Sequence, residues 1–94
     1  MPNARIGDHV ILHSGVVVEH DNDIQDFANL APGVILAGRV RIGRGAVLYT
    51  GVRVIPDITI GDWAEVAAGS LVTKNVPAEK RVGGVPARAM AARS

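Results

Sequence analysis

Aliphatic residues recur along this chain at every sixth position. Ile6, Leu12, Val18, Ile24, Leu30, Leu36, Ile42, Leu48, Val54, Ile60, Val66 and Val72 keep that phase without an insertion. Four residues after each lies a second series: Val10, Val16, Asn22, Ala28, Val34, Val40, Ala46, Val52, Ile58, Ala64, Ser70 and Val76. These are mostly small or β-branched, with Asn22 the polar intruder. A helix repeats about every 3.6 residues and a half-buried strand about every 2, so a period of six fits neither. It fits a short strand followed by a bend, repeated along the chain with both series pointing inward.

If three such units close one turn of a solenoid, residues 18 apart stack. Sorting by eighteens places "LHSGVV", "LAPGVI", "LYTGVR" and "VAAGSL" together, so Gly15, Gly33, Gly51 and Gly69 share one corner. A corner with positive φ costs a non-glycine residue about 1–2 kcal/mol, and glycine takes it freely. A second face gathers "IGDHVI", "IQDFAN", "IGRGAV" and "IGDWAE"; the third gathers "VEHDND", "LAGRVR", "VIPDIT" and "VTKNVP". Each aliphatic buried in such a column contributes roughly 1.5–3 kcal/mol. The expected fold is therefore all-β, a parallel β-helix of about four coils over residues 1–77. Residues 78–94 form a C-terminal loop and, from the Ala-rich "PARAMAARS", a short helix or tail capping the solenoid. Ala4 falls in the second series of a unit whose first position would precede Met1, so the chain is expected to begin part-way through a coil.

Length and composition narrow the picture. A single domain of 94 residues is marginally stable alone, which points to oligomerisation. Outward apolar residues such as Ile11, Val17, Ile35, Val47, Ile55 and Leu71 point the same way. There is no Cys, so neither disulfides nor thiolate-bound zinc contribute. A net charge of +1, with Phe27, Tyr49 and Trp63 the only aromatics, argues against a nucleic-acid partner. No apolar run reaches membrane-spanning length and "MPNARIGDHV" lacks signal-peptide order, so a soluble cytoplasmic protein with no membrane partner is expected.

The densest polar chemistry is "VVEHDND", residues 17–23. The repeat phase turns His20 and Asp21 outward at a bend and Asn22 inward. An outward histidine on a repeat protein is usually inert. Here, however, the residue one turn on is Gly38, which leaves open space beside the imidazole. A neutral imidazole is a natural general base near neutral pH, and an adjacent carboxylate fixes its tautomer. Inward Asn22 must find partners or cost about 1–3 kcal/mol, which suggests a brace for the bend. Glu19 and Asp23 read as solvated, as do the outward Arg39, Arg41, Arg44 and Arg53.

On these residues the chain resembles the hexapeptide-repeat acyltransferases, whose fold is a left-handed parallel β-helix. "ARIGDHVILHSGVVVEHD", "LAPGVILAGRVRIG" and "VTKNVPAEKRVGGVPARAM" are similar to the sugar O- and N-acetyltransferases of the sialic acid, bacillosamine and perosamine type. The resemblance implies acetyl transfer from acetyl-CoA to an amine or hydroxyl of a nucleotide-linked sugar, without a metal. It implies His20 as base, Asp21 as its support, and Asn29, Gly38, Thr50 and Ala68 as cofactor contacts in a homotrimer with parallel axes. Lys74, Lys80, Arg81 and Arg88 are candidates for the cofactor phosphates. That family carries an N-terminal α/β domain for the nucleotide-sugar, which the resemblance, confined to the repeats, leads us to expect is missing here. Asn22 stands where Cys is usual in the family, and Asn29 where His is frequent. Two rival readings share the fold. A non-catalytic scaffold would keep the solenoid alone. A γ-type carbonic anhydrase would need three histidines converging on zinc, whereas His9, His13 and His20 fall on three different faces.

Overall fold

The computed structural model describes residues 4–90. The first coil holds β1 (Arg5–Ile6), β2 (Ile11–Leu12) and β3 (Val17–Val18). The second holds β4 (Asp23–Ile24), β5 (Asn29–Leu30) and β6 (Ile35–Leu36). The third holds β7 (Arg41–Ile42), β8 (Val47–Leu48) and β9 (Arg53–Val54). The fourth holds β10 (Thr59–Ile60), β11 (Glu65–Val66) and β12 (Leu71–Val72). Strands stack in parallel into three faces, β1-β4-β7-β10, β2-β5-β8-β11 and β3-β6-β9-β12. The register advances by 18 residues per rung, as in Arg5↔Asp23 and Ile24↔Ile42. This is a left-handed parallel β-helix of four coils.

The two inward series explain why so short a strand suffices. Leu30, Leu36, Ile42, Leu48, Ile60 and Val66 are fully buried, and Val34, Val40 and Val52 fill the corners between them. Each coil lends its main chain to the next, as where Ile35 N–H donates to Val52 O at 2.9 Å. On the first rung Ile6 and Leu12 stay 49% and 40% exposed, since no described rung lies beyond them.

Glycine preference marks only one of three equivalent corners. Positive φ occurs at Gly15, Gly33, Gly51 and Gly69 on the second corner, and also at His9, Phe27 and Trp63 on the first and Asp21, Arg39 and Asp57 on the third. An ideal Cβ on Gly15 would lie 3.7 Å from its nearest neighbour, so backbone conformation, rather than crowding, favours glycine there. Elsewhere the same turn is held by stacking. His9 stacks on Phe27 with ring centroids 5.1 Å apart, and the Arg44 guanidinium lies 4.7 Å from the Phe27 centroid.

The C-terminal segment departs from the expected helix. β13 (Arg81–Gly83) joins β11 in parallel, and β14 (Arg88–Ala89) returns antiparallel to β13. Among the described residues there is no helix; residues 91–94 of the Ala-rich run lie outside them. The physical reason is an unpaired edge. The fourth coil offers Glu65 and Ala67 N–H groups, which the carbonyls of Lys80 and Val82 accept at 2.9 Å, while Val82 buries its side chain on the end of the core. Helical propensity in so short a run is too weak to compete.

Candidate active site

The third corner joins β3 to β4 and carries the polar run. Leaving β3, the chain turns at Asp21, whose φ is 60°, and re-enters at Asp23. This throws His20 and Asp21 outward, half-exposed, with His20 Nδ1 3.1 Å from Asp21 Oδ2. A carboxylate only accepts, so a neutral imidazole in this bond carries its proton on Nδ1 and leaves the Nε2 lone pair available. The imidazole lies against Gly38, where an ideal Cβ would come within 2.7 Å of both Cε1 and Nε2. The room left by glycine is therefore taken by the imidazole itself, rather than standing open beside it as the sequence suggested.

The corner is held from inside by Asn22, which is 1% exposed. Its Nδ2 donates to Glu19 O at 2.7 Å and its Oδ1 accepts from Val40 N–H at 2.9 Å. Both side-chain ends are thus satisfied, one closing the turn and the other tying it to the next rung. Arg39 N–H adds a bond to His20 O at 3.1 Å. The expected brace is present, and its second anchor lies on the neighbouring coil.

Arg39 is no solvated bystander. Its Nε and one terminal nitrogen donate to the two carboxylate oxygens of Asp57, at 2.6 and 3.1 Å. That bidentate bond raises the Arg39 pKa above its ordinary value, with a weaker push from Asp21, and it lowers that of Asp57. The pair went unnoticed in the sequence, although its spacing of 18 at one corner position was the available signal. Arg44 likewise finds a carboxylate, Asp26, at 3.5 Å. Asp23 accepts from Gln25 Nε2 at 2.7 Å, while Glu19 is exposed. Arg5, Asp21, Asn22 and Asp23 border a polar hollow of about 290 Å³ beside the His20 corner.

Within one chain the predicted site residues fall into two groups. His20, Asp21 and Gly38 meet at the third corner. Thr50 and Ala68 lie exposed on the second corner, and half-buried Asn29 lies on the second face in β5. Thr50 O accepts from Gly69 N–H at 2.8 Å, so these two rungs pack closely along a strip bare of large side chains. The third face separates the groups. Among the described residues no three His, Cys, Asp or Glu side chains converge as a metal site.

Comparison with known proteins agrees with this geometry. Residues 39–74 match the family described as bacterial transferase hexapeptide (six repeats). No curated protein resembles the chain closely enough to count as a match. A histidine-to-alanine mutant of GDP-perosamine N-acetyltransferase from Caulobacter crescentus, solved with CoA and GDP-perosamine, superposes with a TM-score of 0.93 at 38% identity. That likeness covers 95% of this chain and 42% of the other. The acetyltransferase domain of PglB from Neisseria gonorrhoeae, solved with acetyl coenzyme A, gives 0.87 at 28% identity over 93% of this chain and 45% of that one. Serine acetyltransferase from Neisseria gonorrhoeae gives 0.88 at 31% identity, over 94% and 38%. The chain thus spans about half or less of the length of these proteins. Residues 39–74 thus carry the pattern of the bacterial transferase hexapeptide family, and the described solenoid as a whole is similar to acetyltransferases of known structure.

Proposed function

We propose that this chain is the catalytic β-helix of a cytoplasmic acetyltransferase that moves an acetyl group from acetyl-CoA to an amine or hydroxyl of a nucleotide-linked sugar. The observation that carries the reading is the His20–Asp21 pair, held at 3.1 Å over Gly38 with Nε2 free to accept a proton. Asp21 keeps the ring in that tautomer and stabilises the imidazolium. Asn22, fixed to two rungs, holds the bend on which both sit. His20 Nε2 takes the proton from the attacking amine or hydroxyl as its nitrogen or oxygen bonds to the acetyl carbon. The carbon–sulfur bond breaks, and the imidazolium gives its proton to the departing sulfur, which leaves as the free thiol and restores the neutral base. Acetyl-CoA supplies the activated acetyl group.

Two groups on opposite edges of one face call for a composite site. The first face is polar, presenting Arg5, Asp23, Arg41 and Thr59, whereas Ile11 on the second face and Val17 and Ile55 near or on the third are 51%, 42% and 38% exposed. The apolar faces suit copies of the same chain, and a trimer with parallel axes would bring one protomer's His20 toward its partner's strip at Thr50 and Ala68. The likeness to proteins solved with CoA and with GDP-perosamine supports both the donor and the sugar class.

The test is His20→Ala, assayed for acetyl transfer to amino and hydroxy sugars alongside acetyl-CoA titration calorimetry. General-base loss lowers turnover by about 10²–10⁴. Because His20 is half-exposed, the melting temperature should not move. Equal turnover in both proteins would remove His20 as base. A well-folded oligomer that binds no acetyl-CoA would instead favour a non-catalytic scaffold.

A further inference from the structure

At the third corner one cation stands between two carboxylates. Asp21, Arg39 and Asp57 hold the same position on three successive coils, with φ of 60°, 59° and 65°, so their side chains leave the backbone in the same direction. Neighbouring rungs lie about 4.8 Å apart, which puts the long Arg39 side chain within reach of the carboxylate on either side. It takes the later one: Nε and a terminal nitrogen donate to the two Asp57 oxygens at 2.6 and 3.1 Å. Asp21 acts on it too. The Arg39 pKa is raised chiefly by Asp57, with a smaller push from Asp21 in the same direction.

The choice matters because Asp21 is already engaged. Its Oδ2 is the acceptor for His20 Nδ1 at 3.1 Å, the bond that leaves the Nε2 lone pair available. A guanidinium is a charged, two-pronged donor, and for an ionised carboxylate it outcompetes a neutral imidazole. Arg39 turned toward Asp21 would draw that carboxylate off the ring and release the imidazole to change tautomer. Asp57 is placed to prevent this. It follows Pro56, whose ring stiffens the bend, and its N–H donates to Gly38 O at 3.1 Å, so its carboxylate is presented to Arg39 from a fixed support.

We propose that Asp57 is a positioning residue that sequesters Arg39 and so keeps Asp21 free to hold the His20 tautomer. This rests on His20 as the base, and one arm of the test does not. Both members of the pair are exposed, and Asn tolerates the positive φ of position 57, so the variants should fold. In the acetyl-transfer assay Asp57→Asn should lower kcat at least about tenfold with KM little changed, since the ring loses its fixed tautomer. Arg39→Gln should stay within about threefold of wild type, and the double variant Arg39→Gln/Asp57→Asn should return to the Arg39→Gln level, because the competitor is then gone. A carboxylate that merely stabilised the corner would not be rescued by a second loss. Independently of activity, nitrogen NMR of the neutral His20 imidazole should show the Nδ1–H form dominant in wild type, depleted in Asp57→Asn and restored in the double variant. Wild-type turnover or an unchanged tautomer in Asp57→Asn, or a double variant as impaired as Asp57→Asn alone, would each overturn the proposal. Equal turnover of His20→Ala and wild type would instead remove His20 as base, and the tautomer populations would still decide whether Asp57 holds Arg39 away from Asp21.

Discussion

Asn22→Ala tests the brace beneath the His20 corner. The side chain is 1% exposed and makes two bonds, to Glu19 O and from Val40 N–H. Val40 is itself 1% exposed, so its N–H loses its acceptor with no water to replace it. An orphaned buried donor costs about 1–3 kcal/mol. The Glu19 carbonyl belongs to an exposed residue, where water substitutes, and adds little. With the small void left by the missing amide, the total is roughly 2–3 kcal/mol, which for a domain of this size lowers the melting temperature by roughly 10–20 °C. Urea and thermal unfolding at matched protein concentration measure it, since association alters apparent stability. Amide exchange locates it. Val40 N–H should lose protection out of proportion to Ile35 N–H, which bonds Val52 O at 2.9 Å on the same coil. A loss below about 0.5 kcal/mol with unchanged exchange at Val40 would refute the reasoning, because the side chain would then be replaceable by solvent.

Two further substitutions probe the same corner. Gly38→Ala places a methyl 2.7 Å from Cε1 and Nε2 of His20, so the half-exposed ring swings away; turnover should fall toward that of His20→Ala while the urea midpoint barely changes. Full activity in a folded Gly38→Ala protein would show that the ring's seat on this rung is irrelevant. Arg39→Gln removes the bond that holds the Asp57 carboxyl below its ordinary pKa. A depressed carboxyl stabilises the fold above the ordinary carboxylate range, and that contribution fades as pH falls through the depressed value. Urea midpoints across the acid range should therefore differ between wild type and variant at neutral pH and converge in acid. High salt should reduce the gap, as both groups are exposed. A gap that widens as pH falls would count against this sign.

The sequence by itself determined the solenoid. Two inward series in constant phase leave no other way to bury Ile24 to Val72, and a rung of 18 follows once three bends close a turn. It also placed His20 over Gly38 and turned Asn22 inward, because stacking is one-dimensional and residue number alone fixes the neighbour. Only the tertiary structure decided what fills each space and which partner each polar group takes. The imidazole, rather than a ligand, occupies the gap at Gly38, and Arg39 chooses Asp57. Positive φ extends to Phe27 and Trp63, and the Trp63 ring packs over Gly45 on the same corner. The end of the chain was least legible, since beyond Val76 the period stops and pairing is set by the free edge of β11 rather than by local propensity. A repeat specifies its own interior because every rung sees the same neighbours, whereas corners and ends are decided by contacts that occur once.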